Sequence, residues 1–373
     1  MPIRTMKAFI CFCLLLITSR SGTAAFDAQT ARPVQPAALK LLYPNGVALD
    51  AQGTVYLSDI GTHRVLKLTR AGRLLPIAGS GESGFSGDGG PALQAKLSAP
   101  HDLLFDAQDN LLIADTGNQR IRRIDRQGVI STIAGDGKAL QSNFNGAVPA
   151  TSLNNPQSLA LDRAGNLLIA DTYSHVVRRL ERDGSLTVFA GSVGGYGGDG
   201  GPARQAQLNL PMAVAVAPDN SVYISDAGNS RIRRVTPDGV IHTIAGFGPP
   251  QDTYGGGFAG DGGPAEKAKL FSATDLKFDA AGNLYICDSG NHRLRVVRNG
   301  VINTIAGTGQ QGFGGDGKRA AEATFNTPQK LTLAPDGSLF VTDRANHRLR
   351  KIDANGLIQT ITGAGSSSAL ILP

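Results

Sequence analysis

Directly after a proline that recurs along the chain, and that is replaced once by Ala273, stand six dipeptides of unlike chemistry. They are Asn45-Gly46, His101-Asp102, Gln157-Ser158, Met212-Ala213, Thr274-Asp275 and Gln329-Lys330. Carboxylates and imidazole are donors that divalent cations take, amide oxygens are weaker ones, and a lysine in the same ring repels a cation. His101, Asp102 and Asp275 are therefore the candidate metal ligands, with Asn45 and Gln157 as lesser oxygen donors. If a metal-bound water were the nucleophile, His101 or Lys330 would handle the protons. Without a metal, the same ring reads as a binding mouth or as a rim that is simply solvated.

A second chemistry-bearing element is rich in glycine. It reads Gly87-Asp88-Gly89-Gly90-Pro91-Ala92, Gly198-Asp199-Gly200-Gly201-Pro202-Ala203 and Gly260-Asp261-Gly262-Gly263-Pro264-Ala265, with a worn copy at Gly315-Asp316-Gly317-Lys318-Arg319-Ala320. One carboxylate per loop falls short of the 6–8 oxygens of a calcium site. The setting also lacks the strand-to-helix turn and lysine of a phosphate loop. A tight turn with positive φ accounts for the glycines without a ligand. Cys287 lies inside the apolar segment Leu284-Tyr285-Ile286-Cys287, the setting of an inert buried thiol.

The elements that must carry these residues repeat. An apolar run ending in aspartate recurs at Asp59, Asp115, Asp171, Asp226, Asp288 and Asp343. Five residues later comes Arg64, Arg120, Arg231, Arg293 or Arg348, with Val176 the exception. Seven later comes Arg122, Arg178, Arg233, Arg295 or Arg350, with Leu66 the exception. Within a repeat the pattern is strand-like: Pro44 to Leu49, a turn at Asp50-Ala51-Gln52-Gly53, then Thr54 to Ser58, Arg64 to Leu68 and Leu74 to Gly79. Four antiparallel strands in each of six repeats predict an all-β fold, a six-bladed β-propeller. The blades run over about 43–79, 100–135, 155–191, 210–246, 272–307 and 327–363, within a propeller spanning 43–365. The Asp closing the second strand and the Arg opening the third face each other across a short loop, so a charge-assisted hydrogen bond between them is expected to fix that loop. Being copied in every blade, it reads as structural. The glycine-rich inserts are expected on the face of the channel mouth, each followed by a turn or two of helix.

Gly290-Asn291-His292-Arg293-Leu294 and Ala345-Asn346-His347-Arg348-Leu349, with the variants at Asn118 and Asn229, resemble the NHL-repeat family from about Pro44 to Gly363. Repeat three, Tyr173-Ser174-His175-Val176, departs from the motif. The resemblance implies the propeller fold and a breadth of function: protein-binding, RNA-binding and extracellular sensor domains, and occasional enzymes. Propeller hydrolases and lyases, such as gluconolactonase-like proteins, place a divalent metal at the rim, which makes a metal-dependent hydrolase or lyase the alternative here. Residues 1–25 carry Arg4 and Lys7, an apolar run from Ala8 to Ile17 and small residues to Ala25, the order of a secretory signal peptide. The apolar run is shorter than the ~20 residues of a membrane span.

Removing that segment takes Arg4, Lys7 and Arg20 and no acid, so the net charge of +6 falls to +3 and no basic nucleic-acid surface is implied. Cys11 and Cys13 leave with it, and Cys287 alone cannot form an internal disulfide. Residues 26–42 read as a lead-in and 366–373 as a tail. Either Ala37 to Leu42 or Ala369 to Leu372 is placed to latch the ring. The reading is a secreted or periplasmic, monomeric binding module with no cofactor expected. Its top face is expected to take a protein, peptide or glycan through Asn45, His101, Asp102, Gln157, Tyr173, His175, Asp275 and Lys330, with Tyr196, Tyr254 and Phe258 as added aromatic surface.

Overall fold

A computed structural model of the chain describes residues 39–138, 151–248 and 257–363. The signal segment, most of the lead-in, Tyr254 and the tail lie outside the described residues. Six sheets follow one another along the chain, each with four strands in sequence order, and the two-residue strand Gly263–Pro264 adds a fifth at the outer edge of blade 5. Blade 1 comprises Pro44–Leu49, Val55–Asp59, Arg64–Leu68 and Leu74–Ala78, all antiparallel. Blades 2 to 6 repeat this from Pro100–Phe105, Pro156–Leu161, Pro211–Val216, Ala273–Phe278 and Pro328–Leu333. The first strands pack blade to blade around the axis, and that of blade 6 meets that of blade 1. This is the expected six-bladed propeller. No helix among the described residues is long and apolar enough to cross a membrane.

Turn chemistry sets the strand ends. Asp50 Oδ1 accepts the N–H groups of Gln52 (3.0 Å) and Thr54 (2.8 Å) while Gly53 takes φ +76°. That closes the first hairpin by satisfying turn amides that no ladder can reach. At the other end, a register shift after the repeated proline bulges the first strand, as between Pro44 and Val47. A bulge re-aims consecutive residues, and here it turns the two residues after the proline towards the axis.

The Gly-Asp-Gly inserts differ from expectation. They do not stay on the face of the channel mouth; each runs along the outermost strand of the following blade. Gly89 donates to Ile130 O (2.8 Å), Ile130 to Gly90 O (3.0 Å) and Ala92 to Gly128 O (2.9 Å). Gly200 with Ile241, Gly262 with Ile302 and Gly317 with Ile358 repeat the contact. Each insert thus pairs an outer edge that would otherwise offer free amides to another chain. The expected helix is a single 3-10 turn, Ala92–Gln94 in the first case. Behind it Ala92, Ala95 and Leu97 are buried against Val65, Ala78, Leu103 and Ile130, so the insert is a wedge between two blades. Two alanines and one larger apolar residue fill the space where two sheets converge, and burying a leucine such as Leu97 there contributes about 1.5–3 kcal/mol.

Among the described residues no strand is exchanged between the first and last blades. The seam closes through the lead-in instead: Leu41 is buried with Val47, Leu57, Leu66, Phe340, Leu349 and Ile361. Of the latches expected from sequence, the described part of the first, Leu39 to Leu42, sends Leu41 into this core with Leu39 packed against it, while Leu42 stays exposed.

Candidate functional site

The loop joining strands two and three, the proline ends of the first strands and the start of each insert share one side of the disc, called here the signature face. On it the Asp–Arg pairing departs from expectation. Asp288 forms its ion pair with Arg295 (3.5 Å), seven residues on, and not with Arg293, five on. Asp115–Arg122 (3.3 Å), Asp226–Arg233 (3.2 Å) and Asp343–Arg350 (3.3 Å) match it, and Asp171 lies 3.4 Å from Arg178. All five arginines are buried, so these are interior ion pairs and not loop ties at the surface.

The reason is side-chain reach. Arg293, directly across from Asp288 in register, is turned outward by the carbonyls of Asn291 (3.1 Å) and Thr308 (2.6 Å) and lies 3.7 Å from the ring centre of Phe258. Arg295, one pleat deeper, rises to the carboxylate. Its other nitrogen reaches the insert: Arg295–Asp261 is 2.7 Å, and Arg122–Asp88, Arg233–Asp199 and Arg350–Asp316 are 2.8, 2.6 and 2.8 Å. The Gly-Asp-Gly carboxylate is therefore spent on a buried guanidinium of the following blade. A constant spacing of 34 residues between the two was the signal in the sequence. Burial pushes the strand-end carboxyls Asp59, Asp115, Asp171, Asp226 and Asp288 up to about 6, against the donors that surround them.

The Asn and His of the motif also fasten blades together. Asn291 Nδ2 donates both to Asp288 (2.8 Å) and to Gly257 O of the insert (2.9 Å). His292 sits at φ +54°, and its Nδ1 accepts the N–H of Thr327 in blade 6 (3.2 Å). His63 to Ala99, His175 to Leu210 and His347 to Tyr43 repeat it at 3.1, 3.2 and 3.1 Å. His175, read from sequence as a ligand contact, is one of these fasteners. Tyr173 beside it is half-buried.

At the axis the rim residues come together, but not as an open mouth. Lys330 Nζ lies 3.3 Å from Asp102 and 3.4 Å from Asp275, and all three are buried. Each carboxylate also accepts a backbone N–H from the next blade, Leu159 to Asp102 and Leu331 to Asp275, both at 2.9 Å. Lys277 stands 3.7 Å from Asp275. The Lys330 and Lys277 charges hold the Asp102 carboxyl below its usual value, although burial opposes them. Where a divalent ion would sit between the two carboxylates, an ammonium already does. Among the described residues no three His, Cys, Asp or Glu side chains converge on one point, and the donor set does not fit a divalent metal. Cys287 is buried with its thiol pushed well up by desolvation, as the apolar segment implied.

His101 is half-buried above this cluster, its Nδ1 2.9 Å from Ala99 O. Desolvation lowers its pKa to about 4, with the charges of Arg344 and Lys330 adding to the effect. Asn45, fully buried, and Gln157 flank it in the ring, and Gln329 of blade 6 is buried as well. Sequence reading passed over Arg344. Its signal was positional: the residue after the strand-end Asp is Ile60, Thr116, Thr172, Ala227 or Ser289 in the other blades.

A second group is aromatic, and of its members the sequence reading had named only Phe258. Among the described residues the exposed aromatic side chains are Tyr43, Phe85, Phe247, Phe258 and Phe313, and all stand on loops of the signature face. Phe85, Phe258 and Phe313 hold equivalent places just before the Gly-Asp-Gly turn. Each has its ring 3.6–3.7 Å from the guanidinium carbon of Arg120, Arg293 or Arg348. Stacking on arginine orients the ring and leaves the other face to solvent.

Against known proteins, the model described as Teneurin NHL domain matches residues 136–236 and the NHL repeat model matches residues 325–352. The chain is similar to protein Suppressor of quenching 1, chloroplastic, of Arabidopsis thaliana, at 30% identity over 76% of this chain and 27% of the relative. It is also similar to NHL repeat-containing protein 2 of Gallus gallus, at 27% identity over 84% of this chain and 46% of the relative. The chain therefore spans between about a quarter and a half of these curated relatives. Among solved structures, an auxiliary nutrient binding protein from Bacteroides thetaiotaomicron superposes with a TM-score of 0.60 at 16% identity, covering 86% of this chain and 70% of that one. Virginiamycin B lyase from Staphylococcus aureus superposes with 0.52 at 13%, covering 89% of each chain. At those identities the likeness is one of fold.

Proposed function

From the premise that the chain belongs to the NHL-repeat β-propellers, we propose that it is an exported binding module whose signature face docks a protein or cell-envelope ligand. One observation carries the reading: every exposed aromatic ring among the described residues lies on the loops of that face. Rigid aromatic rings with few rotors supply contact area at low entropic cost, which is why interfaces are enriched in them. The repeated acids and arginines of the same face are consumed inside the disc, so the rings stand on a stiff platform. Export is supported by the charged, apolar, small-residue order of residues 1–25. A bare peptide or glycan is a smaller ligand for the same surface.

The test is a triple variant, Phe85→Ser with Phe258→Ser and Phe313→Ser, immobilised beside the parent protein and exposed to envelope and extracellular fractions. The partner retained by the parent should be lost while the propeller still melts cooperatively. Equal retention by both would remove the aromatic face from the binding site.

A further inference from the structure

Arg344 opens the loop after the second strand of blade 6, where no other blade carries a charge. It is half-buried, and its Nε is enclosed without an acceptor. No ion pair or side-chain hydrogen bond is formed by it among the described residues; the Tyr43 ring centre lies 6.0 Å from its guanidinium carbon. Its position in the ring says where it points. Equivalent residues Thr116 and Thr172 reach the carbonyl of the proline that opens the next blade. Arg344 accordingly stands against the start of blade 1, beside Tyr43.

Two polar residues belong to the same part of the rim. Asn45 of blade 1, held by the Thr342 hydroxyl on its backbone carbonyl (2.6 Å), has neither Nδ2 nor Oδ1 partnered. His101 belongs to blade 2, whose backbone lies against Gly46, and it senses the charge of Arg344 across blade 1. Every other interior arginine described above has a carboxylate, and Lys330 just below has two. A desolvated guanidinium without an anion is costly, and the cost is recovered when an anion arrives.

We propose that the channel mouth between Arg344, Asn45 and His101 binds a carboxylate group. One guanidinium presents a planar fork that matches one carboxylate in two parallel hydrogen bonds. The net excess at the mouth is a single positive charge, which suits a monoanion and not a phosphate dianion. The site shares the signature face with the aromatic rings and does not depend on them.

The experiment follows the imidazole resonances of His101 in the whole protein, assigned with His101→Gln, while sodium acetate is added at constant ionic strength made up with sodium chloride. At pH 6.5 acetate is ionised, and an anion beside Arg344 changes the field at the His101 ring, so its resonances should move and saturate. Arg344→Ser, which installs what blade 5 carries, should fold with an unchanged or raised melting temperature and abolish the shift. Arg344→Lys, keeping the charge without the fork, should weaken binding about tenfold. Acetyl-alanyl-alanine binding more tightly than acetate, with its C-terminal amide silent, would assign the carboxylate to a chain terminus; equal binding of the acid and acetate would assign a small free acid. An equal effect of chloride, tighter binding of phosphate, or a shift that persists in Arg344→Ser would overturn the proposal. The Phe85, Phe258 and Phe313 variants should leave the shift unchanged, which separates this site from the aromatic face.

Discussion

At the scale of the residue, what decides each side chain's role is where its charge can be compensated. Asp288 was read from sequence as the partner of Arg293 because the two are closest across the loop; the interior arginine took the place because only it can bury its charge against two carboxylates. Proximity in sequence does not report how far a long side chain rises along a strand, so the residues were legible and their pairing was not. His101 shows the converse case. Its pKa in the fold, about 4, lies below the ordinary 6.5, so the unfolded chain takes up the proton first. The stability tied to a neutral His101 is complete above pH 6.5 and is lost as pH falls from there towards 4. His101→Gln cannot be protonated, so on going from pH 7 to 4.5 the parent should lose more melting temperature than the variant. A gap between the two that stays constant with pH would contradict this placement.

At the scale of the element, strands were the legible part. Period-two alternation and the Asp-x-x-Gly turns put the four strands of blade 1 within a residue of Pro44–Leu49, Val55–Asp59, Arg64–Leu68 and Leu74–Ala78. The inserts were legible as glycine-rich turns but not as edge strands and wedges, because their hydrogen bonds go to a strand some 40 residues further on. Glycine marks two different needs within them. Gly260 has φ +91°, and a Cβ there would stand 2.7 Å from Ala268 Cα, whereas Gly262 has φ +79° with open space around it. Gly262→Ala should cost about 1 kcal/mol from backbone strain alone, and Gly260→Ala clearly more, because the wedge must also give way. Chemical denaturation of the two variants measures the difference; equal costs would mean that the wedge does not fit tightly.

At the scale of the whole molecule, the question is how a disc of six units closes without sharing a strand. The answer is that the closing seam uses the same parts as the others: a left-handed histidine accepting the first amide of the next blade, and an apolar residue ahead of that blade filling the gap. His347→Ala and His292→Ala should therefore destabilise by similar amounts, about 1 kcal/mol each, as read from unfolding midpoints. A far larger loss for His347→Ala would make the seam a special joint. The sequence showed complete blades and no exchanged strand. It did not show the joint, since Tyr43 and His347 are 304 residues apart.

The central claim is that partners meet the signature face through its aromatic loops. The most direct measurement places a photo-reactive phenylalanine analogue at Phe258 on that face, and in a second protein at Leu357, an exposed residue in the turn of blade 6 on the opposite face, and irradiates each in its native surroundings. A discrete cross-linked species from position 258 and none from 357 is the expected result. Cross-linking from 357 with none from 258 would place the binding surface on the other side of the disc and contradict the account.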